Sequence, residues 1–233
     1  MLVKQTGELP ETKLVRKQIL KATPSEAKFG LMAEYLFCAR ACEIVARKCP
    51  SDISTTPRGL TGKDVKLDTY SIADQKYDVV IFTLRTAKRD GKVRLCALPL
   101  DKEYEPLSEP LMQYIKKFDD YPAFNYTRQT LHNFAKSAFE GFTYRIDAYT
   151  KKSDDPDKKR DKVHAHDKPF KCHALRHLRT AELIEHYGFD GIEMSAYGGW
   201  TLQSALGIGS SLGRYAHLNW QKYFPKLLKP LRA

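Results

Sequence analysis

Two histidines and an arginine lie within five residues in the stretch HALRH, His173 to His177. On a helix, Arg176 shares one face with both histidines and with Thr180. A guanidinium forks onto phosphate oxygens, and an imidazole can donate a hydrogen bond or move a proton near neutral pH. The face suits a phosphodiester, although a basic solvated helix face would show the same residues. The opposite side turns four residues toward a core: Leu175, Leu178, Ala181 and Ile184.

A second arginine, Arg40, interrupts the stretch FGLMAEYLFCARACEIVARK. This stretch is otherwise apolar on nearly every face, which predicts one buried helix from about Ser25 to Lys48. A buried guanidinium needs a partner because its desolvation is costly. Glu43 follows at the i+3 spacing, from which a carboxylate can pair with it. The two residues are either a structural ion pair or an arginine held rigidly toward an anion.

A lysine and a tyrosine could complete such chemistry. Lys88 lies near the tip of a predicted β-hairpin with strands at 77–84 and 92–100 and an Asp-Gly turn. A lysine there could reach a DNA groove or protonate a leaving oxygen, although its basic neighbours compete for that role. Tyr215 follows a glycine-rich stretch. A phenol is a weak nucleophile without cationic neighbours, and packing in a core is the alternative role for this tyrosine.

Several further elements must position these residues. Residues 1–24 are polar and lysine-rich and predict a linker or arm, and the highly charged stretch at 150–170 predicts a solvated loop. The fold class is therefore α+β and mainly α, with one domain over residues 25–233 and a C-terminal tail from about residue 220. Helices are predicted at 108–118, 127–139 and 173–187 and over the stretch LGRYAHLNWQKYF.

Charge and cysteine content narrow the class of protein. Lys and Arg outnumber Asp and Glu by 39 to 28, a net charge of +11. This excess favours a polyanionic partner such as nucleic acid or an anionic membrane surface, and a merely basic soluble protein is the alternative. The chain start lacks the apolar core of a signal peptide, and no apolar run is long enough to cross a bilayer. The 5 cysteines have no paired CxxC spacing, which predicts reduced thiols in an intracellular protein and no zinc site.

Taken in chain order, these motifs resemble the catalytic domain of the tyrosine recombinases, the phage-integrase family. CARACEI resembles the family's first-arginine motif, and HALRH matches its His-x-x-Arg motif. TAKRDGKVRLCALPL resembles the β-hairpin that carries the catalytic lysine, and SSLGRYAHL resembles the segment with the nucleophilic tyrosine. The resemblance extends over about residues 25–220.

The resemblance implies a helical catalytic domain with a small antiparallel β-hairpin or sheet, and phosphoryl transfer without metal, cofactor or ATP. Tyr215 would attack a scissile phosphate of double-stranded DNA, giving a 3′-phosphotyrosyl link and a free 5′-hydroxyl. Arg40 and Arg176 would stabilise charge on the non-bridging oxygens. His173 would act as base or hydrogen-bond donor, and Lys88 would protonate the leaving 5′-oxygen.

Three more residues are implied by the same resemblance. Glu43 and His177 would orient the arginines. Trp200, in YGGW, would take the family's histidine-or-tryptophan position and donate its indole N–H to phosphate. The 15 residues from Trp200 to Tyr215 exceed the spacing usual in the family.

The family pattern also bears on assembly and setting. It implies a tetramer on DNA, with no membrane association, in the cytoplasm of a prokaryotic, viral or plasmid system and associated with the nucleoid. A tail such as QKYFPKLLKPLRA docks on a neighbouring subunit in the family, and its pattern also fits packing in cis. The family's N-terminal DNA-clamping domain is expected to be absent, leaving either an excised catalytic domain or a short natural form.

Three other functions fit parts of the pattern. A type IB topoisomerase would use the same residues and relax supercoils as a monomer. A catalytically inert DNA-binding module would use the basic face only to grip phosphate. A metal-dependent nuclease could use His164, His166 and Asp167 of HAHD, although a second carboxylate cluster is lacking.

Overall fold

The computed structural model describes residues 9–50, 57–86, 93–152, 160–199 and 219–231. These residues mix helix and strand, 43% helical and 24% strand, with a small antiparallel sheet as the sequence predicted. The helices in these ranges are α1 (Thr12–Lys21), α2 (Ser25–Leu36), α3 (Ala41–Ile44), α4 (Ser108–Lys116), α5 (Arg128–Ala138), α6 (Cys172–Glu185), α7 (Gly191–Gly198) and α8 (Trp220–Leu227). The strands are β1 (Val65–Ile72), β2 (Gln75–Arg85), β3 (Val93–Pro99), β4 (Thr143–Ile146), β5 (Tyr149–Lys152), β6 (Arg160–Val163) and β7 (His166–Pro169).

The predicted β-hairpin is confirmed in its two strands. β2 and β3 pair antiparallel, with Leu84 opposite Arg94. The loop residues 87–92, which include Lys88, lie outside the described ranges. β1 adds a third strand, in the order β1-β2-β3, that the sequence analysis did not predict. Only its first residue, Val65, is buried, so this edge strand lacks the apolar alternation that would have indicated it.

The free edge of β3 is covered by α8. The Tyr223 hydroxyl donates to the carbonyl oxygen of Leu95 at 2.9 Å and accepts from the Ala97 N–H at 3.0 Å. This one side chain therefore satisfies two backbone groups that an edge strand would leave unpaired. Trp220 and Phe224 also pack edge-on or tilted against Tyr70 of β1. The tail beyond residue 220 thus packs in cis, one of the two arrangements that its sequence allowed.

The linker or arm predicted for residues 1–24 is wrong for its second half. Residues Thr12–Lys21 form α1, which buries Val15 and Ile19 completely. These two residues lie four apart and so share one helix face. The polar character of the segment comes from the outer face of the helix and from Arg16, which is itself buried. Residues 1–8 lie outside the described ranges.

The single helix predicted from Ser25 to Lys48 is also wrong, because it is two helices. α2 ends at Leu36, and Cys38 takes a left-handed φ of 50° before α3 begins at Ala41. The Glu43 carboxylate accepts from the Arg40 N–H at 3.1 Å and so caps α3. A carboxylate that caps a helix start in this way favours a new helix over continuation of the old one.

The charged loop predicted for 150–170 contains three short strands. β5 pairs with β6, and β7 pairs with β4, both antiparallel. Backbone ladders need no apolar side chains, and charged residues placed opposite one another can pair across strands. Arg145 and Asp167 face each other and form an ion pair at 3.2 Å. Residues 153–159 lie outside the described ranges.

Three other predicted helices agree with the structure to within about two residues at each end, the usual uncertainty of helix boundaries. α4, α5 and α6 fall within or next to the predicted ranges 108–118, 127–139 and 173–187. The helix predicted over LGRYAHLNWQKYF differs: α8 begins at Trp220 after its N-cap Asn219 and extends to Leu227, and residues 212–218 lie outside the described ranges. α7 was not predicted, although Asp190 caps it by accepting from the N–H groups of Ile192 and Glu193, each at 2.8 Å.

Helix α2 lies at the centre of the core and packs against α1, α4, α5 and α6. Its residues Leu31, Met32 and Tyr35 are completely buried, as its apolar sequence predicted. None of the helices in the described ranges combines the length and the apolar character needed to span a bilayer.

A network of buried charges joins α1, α2 and α6 to the segment before α4. Arg16 binds Glu105 through two nitrogens, at 2.6 and 2.8 Å, and reaches Glu182 at 3.3 Å. Arg179 binds Glu182 at 2.5 Å and lies 3.5 Å from Glu105. The Tyr35 hydroxyl donates to Glu182 at 2.6 Å. Burial acts to raise the pKa of Glu182, but Arg179 and Arg16 outweigh it and lower that pKa below its usual range.

We expect Arg16→Met to lower the free energy of unfolding by about 3–5 kcal/mol, because it leaves the buried Glu105 carboxylate without its bidentate partner. Lys17→Met, an exposed position on the same helix, is the matched control and should change stability by less than about 0.5 kcal/mol. Urea unfolding of both variants measures the difference. Equal losses in the two variants would contradict the role given to the network.

Candidate functional site

The predicted basic face of α6 is present, with a graded exposure. His173 is exposed, His177 is half-buried and Arg176 is buried. The two imidazole rings lie edge to face with their centroids 4.4 Å apart. Leu175 and Leu178 lie in the core behind this face, as predicted. Ile184 was predicted to join them but is 47% exposed, because Glu182 and Leu183 form the buried face of the last turn instead.

Arg40 and Glu43 form the predicted ion pair. Arg40 Nη1 lies 3.1 Å from Glu43 Oε1, and the Arg40 side chain is 31% exposed whereas that of Glu43 is 1% exposed. The carboxylate thus holds the arginine by two contacts, one to its guanidinium and one to its backbone N–H. Part of the Arg40 side chain is exposed and could bind an anion, whereas the Glu43 carboxylate is not accessible from solvent.

Arg176 is buried among charged groups. Burial lowers the pKa of Arg176, and the positive charges of Arg40 and Arg94 lower it further against the opposing effects of Cys38 and Glu43. Arg176 Nη2 also donates to the carbonyl oxygen of Gly198 at 3.4 Å. Burial and these neighbouring positive charges disfavour the charged form of Arg176. An anion bound beside Arg176 would offset that repulsion.

Arg94 is the member of this cluster that the sequence analysis missed. Its side chain is 4% exposed, and its Nη2 lies 3.4 Å from Glu43 Oε2. The alternation of the strand could have indicated that Arg94 is buried, since Arg94 shares its side of β3 with Cys96 and Leu98, both buried. An arginine at a core-facing strand position requires buried partners, and that requirement pointed to a polar site.

The pKa of the half-buried His177 is affected by the positive charge of Arg176. Burial lowers the pKa of His177, and the neighbouring charge of Arg176 lowers it further. The imidazole is therefore neutral at neutral pH, and a neutral imidazole has one nitrogen that donates and one that accepts a hydrogen bond.

A buried carboxyl group lies under the start of α6. Glu34 of α2 is 2% exposed, and burial raises its pKa to about 8 against the lowering effects of the Cys172 thiol and of Arg176. Its Oε2 has no hydrogen-bond partner among the described residues. Both observations fit a carboxyl group that stays protonated at neutral pH, so it does not neutralise the arginines above it.

The remaining predicted site residues, Lys88, Trp200 and Tyr215, lie outside the described ranges. Two of these segments lie close in sequence to a described residue that contacts Glu43 or Arg176. Arg94 follows residues 87–92 and contacts Glu43, and Gly198 lies two residues before Trp200 and accepts from Arg176.

The residues of the HAHD stretch lie in β7 and just before it. Asp167 pairs with Arg145, and His166 Nδ1 lies 2.9 Å from the carbonyl oxygen of His164. Within the described ranges, no group of three or more His, Cys, Asp or Glu side chains is arranged to hold a metal ion.

No family model, curated protein or solved structure matches the chain significantly.

We expect Glu34→Gln to stabilise the protein increasingly as the pH rises from about 4.5 to about 8. In this interval the wild-type carboxyl group ionises in the unfolded chain but stays protonated in the folded one, so the wild type loses stability as pH rises. Glutamine has nearly the same shape and no such proton, and its advantage should reach about 2–5 kcal/mol at the upper end. Urea unfolding across this pH interval measures the effect.

Glu26→Gln, an exposed position on the same helix, is the matched control. An advantage of Glu34→Gln that stays constant over the interval would show that Glu34 is ionised in the folded protein.

Proposed function

We propose that this protein is a site-specific DNA strand transferase of the tyrosine recombinase type. The observation that supports the proposal best is that two arginines from separate segments interact with one buried carboxylate, that of Glu43: Arg40 forms an ion pair with it, and Arg176 interacts with it electrostatically. Both belong to motifs that resemble the recombinase family, and the two histidines of HALRH flank Arg176 on the same helix face. A pair of rigid guanidinium groups with surplus positive charge suits the non-bridging oxygens of a phosphodiester.

The described geometry favours stabilisation of a charged transition state over simple binding. Arg176 is buried, and Arg40 is held from behind by Glu43. Charges fixed in a partly desolvated site stabilise developing charge more strongly than mobile surface lysines do, since no reorganisation is needed during the reaction.

In the proposed reaction, the Tyr215 phenol oxygen bonds to phosphorus and the bond from phosphorus to the 5′-oxygen breaks. His173 accepts the phenol proton, or it donates a hydrogen bond to the phosphate while water accepts that proton, and Lys88 gives a proton to the departing 5′-oxygen. Trp200 donates its indole N–H to the phosphate. A second 5′-hydroxyl then reverses these steps on another strand, so the bond energy is retained without ATP, metal or cofactor.

The proposed partners are double-stranded DNA and further copies of this chain, assembled as a tetramer around two sites. The net charge of +11 supports a DNA partner because lysines and arginines that meet phosphates release bound counterions. Such an enzyme would act on a bacterial, viral or plasmid genome in the cytoplasm.

We expect a covalent protein–DNA adduct on a pool of nicked duplexes that carry the junctions flanking the gene and randomised cores. The nick lets the short 5′-hydroxyl fragment diffuse away, which traps the phosphotyrosine. The adduct should form in EDTA and be lost in Tyr215→Phe. Tyr121→Phe, at a tyrosine that is 77% exposed, is the matched control and should keep the adduct. Denaturing gel electrophoresis measures it.

Other results of this experiment would identify another function. An adduct that survives Tyr215→Phe would assign the nucleophile to another residue. Supercoil relaxation without strand exchange between sites would indicate a type IB topoisomerase. DNA binding with no adduct on any duplex would indicate an inert DNA-binding module.

We expect Arg40→Gln and Arg176→Gln each to lower the rate of adduct formation by about 100- to 1000-fold, the usual cost of removing one donor to a developing oxyanion. Arg145→Gln removes an arginine from a solvent-exposed ion pair and serves as the matched control. It should leave the rate within about threefold of the wild type, since exposed pairs contribute little. Equal losses in the three variants would show that the arginines act only through total charge.

A further inference from the structure

We propose that Arg94 is a positioning residue for the reaction: it fixes Glu43, and through Glu43 it sets the orientation of Arg40. This inference rests on the proposed function and adds to it a residue to which the resemblance assigns no role. The guanidinium of Arg94, on β3, contacts two other segments of the chain, one around Phe37 and Glu43 and one at Tyr197.

The guanidinium of Arg94 makes three buried contacts. Nη2 donates to the carbonyl oxygen of Phe37 at 2.9 Å and lies 3.4 Å from Glu43 Oε2. Nη1 donates to the carbonyl oxygen of Tyr197. Phe37 closes α2 just before Arg40, and Tyr197 lies in the last turn of α7. Arg94 therefore ties the start of β3 to both segments at once.

Glu43 transmits this position to Arg40. The oxygen that Arg94 approaches, Oε2, also accepts from the Arg40 N–H at 3.1 Å, and the other oxygen accepts from Arg40 Nη1 at 3.1 Å. A carboxylate held at both oxygens has one orientation, and that orientation fixes the guanidinium of Arg40. Without Arg94, Glu43 would lose one of the arginines that balance its buried charge.

Gly199 makes the room that this arrangement needs. A β-carbon at Gly199 would lie 2.7 Å from Arg94 Cδ and 3.0 Å from Arg94 Nε. The glycine also has a left-handed φ of 66°. The backbone after α7 can therefore approach the arginine only because residue 199 has no side chain, and Gly199→Ala would displace Arg94 without altering it.

Direct phosphate binding does not fit Arg94. Its side chain is 4% exposed, and both of its terminal nitrogens already bind oxygens of the protein. The partly exposed Arg40 is the residue of this chain of contacts that can reach a substrate. Loss of Arg94 should therefore slow the chemical step and leave DNA affinity nearly unchanged, since a small displacement of a reacting group costs rate first.

The test compares Arg94→Lys with Arg85→Lys in the full chain, using the nicked-duplex pool described above. Arg85 is the neighbouring arginine on β2, with a side chain that is 46% exposed and paired with Asp64 at 3.0 Å. We expect Arg94→Lys to lower the single-turnover rate at saturating DNA by up to about 100-fold, with the half-saturating DNA concentration changed less than about threefold. Arg85→Lys should change neither value by more than about threefold.

A glycine pair separates displacement of Arg94 from backbone strain. Gly199→Ala and Gly141→Ala both place a β-carbon at a left-handed φ, 66° and 81°, but nothing lies within 4 Å of the β-carbon at 141. We expect the rate to fall only in Gly199→Ala. Melting temperatures of all variants show which of them fold. If Arg94→Lys fails to fold, the glycine pair alone decides.

The coupling to Glu43 gives a readout that a merely structural role would not produce. Arg94→Lys combined with Glu43→Gln should be no slower than the slower single variant, because both changes release the same contact to Arg40. Additive losses, or a wild-type rate in Arg94→Lys or in Gly199→Ala, would refute the positioning role while leaving the proposed function intact. A wild-type chain that forms no adduct on any duplex would refute the proposed function, and the positioning role with it.

Discussion

Arg179 is 1% exposed and lies between the carboxylates of Glu182 and Glu105, and this buried ion network fixes where α6 lies. Two buried arginines face two buried carboxylates there, since Arg16 also binds both acids. Equal and opposite charges can repay the cost of desolvation only when their geometry is nearly ideal. The network therefore allows one position of α6 relative to α1 and the segment before α4. The candidate site is carried by that same helix.

Arg176 lies one helical turn before Arg179 and has the opposite electrostatic situation. At Arg179 the surrounding acids raise the pKa against the effect of burial, whereas at Arg176 burial and the charges of Arg40 and Arg94 lower it. One helix thus presents a balanced arginine to the core and an under-compensated arginine to the site. Arg179 contributes to stability, whereas an anion that binds at Arg176 would offset the unfavourable electrostatic energy of that residue. This contrast is what distinguishes the site from an ordinary basic surface.

The parts of the structure that depend on local sequence could be predicted. Arg40 and Glu43 pair because they lie one turn apart, and the two faces of α6 follow from helical periodicity. The partners of Arg16 lie 89 and 166 residues away, so no local pattern could have revealed that α1 belongs to the core. The strands between 149 and 169 escaped prediction because their ladders are built from charged residues. Arg94 was detectable from strand alternation, but its partners come from other segments.

The break between α2 and α3 places Arg40 at the start of a new helix, next to the contacts between Cys38 and α6. Cys38 adopts a left-handed φ of 50°, which costs a non-glycine residue about 1 kcal/mol. In this conformation its side chain contacts α6. The thiol lies 3.2 Å from the Thr180 hydroxyl and donates to the carbonyl oxygen of Arg176 at 3.6 Å. A glycine would turn the chain with less strain but could not contact α6. Because the turn residue itself touches the helix that carries Arg176, the turn that precedes Arg40 is fixed against that helix.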